Sequence, residues 1–75
     1  MSKIQGHTGP DGVTAYAWGS LPAEILDDAE IYAVNASFRG LTTAEIAEDL
    51  IAMSNGRVNH VLAWRTSDEI HLAMG

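Results

Sequence analysis

The stretch LTTAEIAEDLIAMSNGRVNHVLAWR, residues 41–65, decides how this chain is read. Thr42 and Glu45 stand at the spacing of a capping box. In that motif the threonine hydroxyl accepts from the Glu45 N–H, and the Glu45 carboxylate reaches back to the Thr42 N–H. Leu41 before the cap and Ile46 at the fourth helical position form a hydrophobic staple. The pattern then recurs: Ser54 is a second cap candidate, with Met53 before it and Val58 four residues on. Two capped starts this close leave room for little more than two turns of first helix, the spacing of a helix-turn-helix. Ile46, Leu50, Val58 and Leu62 are then expected to face one another across the turn.

The segment resembles the central helix pair of winged-helix and helix-turn-helix DNA-binding domains. The resemblance is carried by Thr42 and Thr43 at the helix start, Ile46 and Ala47 on its packed face and Leu50 at its end. Ser54 then opens a second helix whose buried face is Val58, Val61 and Leu62. It covers residues 41–65 only, and its turn, Ile51-Ala52-Met53-Ser54, is one residue longer than the usual Gly-x-Ser. The resemblance implies a small transcriptional regulator or accessory factor that reads double-stranded DNA with helix 55–65 in the major groove. Asn55, Arg57, Asn59 and His60 would face the groove, where arginine suits guanine O6/N7 and asparagine suits adenine N6/N7. Thr42, Thr43 and Arg65 would contact phosphates, together with backbone N–H groups at the helix starts.

The charge balance opposes that reading. The 75 residues carry a formal net charge of −6, whereas nucleic-acid binders present a basic footprint. The distribution qualifies the total. Acids gather at Glu24, Asp27, Asp28 and Glu30, at Glu45, Glu48 and Asp49, and at Asp68 and Glu69. None lies between Leu50 and Ser67, where Arg57, His60 and Arg65 stand. A second function class follows from the same numbers: an acidic protein–protein interaction module or inhibitor that mimics nucleic-acid charge. It would bind a basic protein through Asp27, Asp28, Glu30, Glu48 and Asp49. A homodimer through the strand bearing Tyr16 and Trp18 is a third possibility.

A chain of this length makes one small domain. It has no cysteine, hence no disulfide framework and no cysteine zinc site. No apolar run reaches membrane-spanning length, so no membrane partner is expected and the chain reads as soluble and cytoplasmic. Residues 1–12, closed by the turn former Gly9-Pro10-Asp11-Gly12, read as a flexible arm. Val13 to Gly19 alternates, with Thr14, Tyr16 and Trp18 on one face, and reads as a strand pairing with 70–74. Pro22 opens a helix, Asp27 or Asp28 is a candidate second cap, and Gly40 is the stop.

The expected fold is α+β, a small winged-helix-like domain over 13–75. Three helices, at 22–39, 43–51 and 55–65, stand beside a short two- or three-stranded sheet from 13–18 and 70–74. The alternative is ββαββ with a terminal hairpin at 58–74, because Tyr32, Val34, Ala36 and Phe38 alternate, as do Val58, His60, Leu62 and Trp64.

No catalytic residues are expected, and the chain does not read as an enzyme. His7, His60 and His71 are scattered without metal-ligand spacing, so no metal is expected. The acids lack the loop spacing of a calcium site, and no phosphate loop is present, so no cofactor is expected either.

Overall fold

A computed structural model describes residues 6–75 of the protein. Residues 1–5, the head of the expected arm, lie outside the described residues. The chain runs β1 (His7–Thr8), β2 (Thr14–Gly19), α1 (Ala23–Phe38), α2 (Thr43–Met53), β3 (Val61–Arg65) and β4 (Glu69–Met74). The strands form one sheet in the order β1-β2-β4-β3. β2 and β4 pair in parallel at its centre, with Thr14 opposite Glu69 and Gly19 opposite Met74. β3 returns antiparallel on β4, and β1 antiparallel on β2.

Two helices replace the expected three. Residues 55–65 are not a recognition helix: helix α2 stops at Met53, and Val61–Arg65 is a strand. The stop is written in Asn55-Gly56, where both residues take positive φ, 55° and 84°. Such consecutive left-handed conformations end a helix and suit an asparagine–glycine pair. Ser54 is accordingly a C-cap. Its hydroxyl donates to the Ile51 carbonyl at 2.8 Å and accepts from the Val58 N–H at 3.1 Å, tying the helix end to the loop that follows. The residues that resemble a winged-helix pair therefore form helix, turn and strand. Residues 61–74 form a hairpin, as in the rival reading, but that reading's strand at 32–38 lies inside α1, so neither expected architecture holds as a whole.

The capping box at Thr42 is present. Glu45 N–H donates to Thr42 Oγ1 at 3.2 Å, and Thr42 N–H donates to Glu45 Oε1 at 2.8 Å. Thr42→Ala removes the acceptor and is expected to cost about 1 kcal/mol in a denaturation midpoint; an unchanged midpoint would show that the cap contributes nothing. Helix α1 runs through Asp27 and Asp28 without a second start. It closes on Gly40 (φ 94°), with Gly40 N–H donating to Ser37 O and Leu41 N–H to Ala36 O, both at 3.0 Å. That paired closure satisfies the last carbonyls with the glycine in the left-handed position.

The core follows from residue size. On α1 the buried face is Ala29, Ala33, Val34 and Ala36, and on β2 it is Ala15 and Ala17, so the helix sits close against the strand. The bulk comes from β4, whose Ile70, Leu72 and Met74 meet Ile46 and Leu50 of α2 and Val58 of the loop in one cluster. Leu62 does not join it: 63 % of its surface is exposed, because it points to the other side of the sheet.

Candidate interaction surface

Both helices lie on one face of the sheet, so the alternation of the strands divides their side chains into a covered and an uncovered set. Tyr16 and Trp18 of β2, Glu69, His71 and Ala73 of β4, and Leu62 and Trp64 of β3 fall on the uncovered face. The register sets them in rows. Tyr16, His71 and Trp64 are direct cross-strand neighbours, and Trp18, Ala73 and Leu62 form the next row.

The rings pack against one another. His71 stacks on Tyr16 with centroids 5.8 Å apart and on Trp64 at 5.3 Å. Trp18 meets Trp64 edge-on at 5.5 Å and His71 at 5.9 Å. Offset stacks and T-shaped pairs at these separations contribute beyond simple burial. One consequence is chemical. His71 is stacked between Tyr16 and Trp64, so its ring faces are not free to stack on a flat ligand. Glu69 Oε1, 3.2 Å from His71 Nε2, sets an acidic group at its margin.

The expected nucleic-acid residues are dispersed. Thr42 caps α2 and Thr43 begins it. Asn55 occupies the left-handed turn, and His60 sits beside Gly75, each donating its N–H to the other's carbonyl at 3.1 Å. Asn59 is exposed in the same loop. Arg57 lines a cleft of about 280 Å³ between α1, α2 and the turn, together with Asp28, Tyr32 and Asn55. Arg65 donates from a guanidinium nitrogen to Ser37 Oγ at 2.9 Å, on the helix side of the sheet. These residues do not line one helix face.

The alternative acidic set is also divided. Asp27, Asp28 and Glu48 are exposed on the helices, on the side of the molecule away from the aromatic rows. Asp49 is half-buried and accepts from the Tyr32 hydroxyl. That hydrogen bond, with burial and the charge of Asp49 adding to it and Arg39 opposing, raises the tyrosine pKa above its ordinary value. Glu30 is not a surface acid at all, with only 3 % of its area exposed. Its Oε2 accepts from the Ala17 N–H at 2.8 Å, and His7 Nδ1 stands 2.9 Å from its Oε1. A buried carboxylate needs such partners. Its position was readable, since Glu30 lies at helical spacing from Ala33 and Val34.

Among the described residues, no group of three or more histidine, cysteine, aspartate or glutamate side chains is placed to hold a metal ion, and no helix is long and apolar enough to cross a membrane. No family model, curated protein or solved structure matches the chain.

Proposed function

We propose that this domain is an acidic protein-interaction module that takes a basic protein partner on the open face of its sheet. The observation that carries the reading is the uncovered aromatic face itself. Three of the strands contribute to it, its members are in direct cross-strand register, and aromatic residues are the types enriched where proteins bind one another. The acids of α1 and α2 lie on the opposite layer and do not form the contact; it is the net charge of −6 that favours a positively charged partner. A duplex reader, by contrast, would want a helix where this chain has a turn and a strand.

Trp18→Gln tests the face, because Trp18 lies on a central strand and points away from the helices. A basic protein retained by the wild-type domain is expected to be lost with the variant, while the variant's melting curve stays cooperative. A partner held equally by both, or none retained by either, overturns the reading. Titration with random duplex DNA across a salt series is expected to give no association. Binding whose affinity falls steeply with salt would restore nucleic acid as the partner.

A further inference from the structure

The two edges of the sheet are finished differently. At one edge β1 covers Thr14 and Ala15, and beyond it the buried Glu30 carboxylate occupies the N–H of Ala17. At the other edge β3 carries no such guard. His60 and Gly75 exchange both backbone bonds, and Thr66 N–H donates to Glu69 O at 2.9 Å. Antiparallel pairs alternate, so Leu62 and Trp64 face β4, while Val61, Ala63 and Arg65 aim their N–H and C=O groups outward. Among the described residues those outward groups take no partner. Native edges are ordinarily blunted by lysine, proline, a bulge or an inward charge. β3 has none of these, and its one charged residue is turned aside to Ser37.

We propose that β3 is a dimerisation edge, pairing antiparallel with β3 of a second copy about a two-fold axis at Ala63. Ala63 then faces Ala63 of the other copy, and Val61 faces Arg65, so each outward N–H and C=O group of these residues finds a partner. The intervening positions bring Leu62 of one copy against Trp64 of the other on the open face. Those side chains are 63 % and 40 % exposed in the single chain. Aliphatic–aromatic pairs at such positions stabilise a sheet.

The layer above agrees. Asp49 turns one flank of α2 toward Tyr32 of α1. At 100° per residue the opposite flank, on the side of the β3 edge, consists of Ala44, Ala47 and Ile51. The two alanines let the copies of α2 approach across the axis, and the exposed Ile51 gives them apolar surface to bury. Charge agrees as well. Each copy carries −6, yet the stretch from Leu50 to Ser67 contains no acid, so the paired β3 strands themselves bring no carboxylates together.

This assembly goes beyond the partner-binding reading and does not depend on it. Light scattering over a concentration series is expected to give twice the monomer mass. Amide exchange resolved by residue is the sharper measurement. Val61, Ala63 and Arg65 should gain protection as concentration rises, while Leu62 and Trp64, bonded to β4 in either state, should not change. Ala63→Pro removes an outward donor and no bond to β4, and is expected to give a monomer; Trp18→Gln is expected to stay dimeric. A chain that remains monomeric at millimolar concentration overturns the proposal. So does a dimer in which the Val61, Ala63 and Arg65 amides exchange as they do in the monomer. Loss of the dimer with Trp18→Gln would place the contact on the open face, and would equally overturn it.

Discussion

Gly19→Ala is expected to be the most damaging single-methyl addition in this protein. Gly19 ends β2 opposite Met74, with φ at 150°. A Cβ built there would stand 1.9 Å from the Met74 carbonyl oxygen. That obstacle is backbone of the central partner strand, so no rotamer change relieves it. The ends of β2 and β4 would have to part, uncovering Ala17 and Met74. Destabilisation of more than about 3 kcal/mol is expected, at the upper end of what backbone strain and a lost strand end produce. In a domain this small it would lower the melting temperature by more than about 10 °C. Gly12→Ala is the control. It too has positive φ, 86°, but nothing lies within 4 Å of the added carbon, so only the conformational cost of about 1 kcal/mol remains. Equal losses in the two variants would mean that the close approach of β2 to β4 does not govern stability.

Leu72→Ala and Leu62→Ala are expected to separate cleanly, although both remove the same atoms from neighbouring strands. Leu72 is fully buried at the centre of the cluster formed by β4, β2 and the helices. Its truncation is expected to cost about 2–5 kcal/mol, the sum of lost transfer energy and a cavity that the alanine-rich surroundings cannot fill. Leu62 points to the open face, and its truncation in the monomer is expected to stay within about 0.5 kcal/mol. Urea unfolding at low protein concentration measures both. A large loss at Leu62 would place it in a core, as a second helix over 55–65 requires.

That contrast locates what the sequence made legible. The alternation of Thr14 to Gly19 and of Ile70 to Met74 was enough to find both central strands, and the Thr42–Glu45 box was enough to find the start of α2. Those signals are local, and the physics that reads them is local too. Residues 54–65 failed because a serine before an apolar run serves equally as the cap of a new helix or as the hydroxyl that closes an old one. A short run such as Val58 to Trp64 fits either period. Asn55-Gly56 was the deciding signal, a turn pair that a helix interior does not accommodate. Glu30 was misread for another reason. An acidic cluster looks solvated when counted along the chain, but at helical spacing one of its members turns inward to a strand N–H. The uncovered aromatic face was beyond reach altogether. Tyr16, Trp64 and His71 become neighbours only through the strand order, and no single segment encodes that order.

The parallel pairing of β2 with β4 also sets a schedule. Helix α1, helix α2 and the β3–β4 hairpin each close over short loops, but β2 must wait for the last strand of the fold to be made. Contacts of high sequence separation are slow to form, because the loop entropy is lost before they reward it. Until β4 docks, Tyr16 and Trp18 therefore lack the central neighbour that pairs with their strand. The interval in which this chain is most open to misassembly thus lasts until Glu69–Met74 docks beside β2.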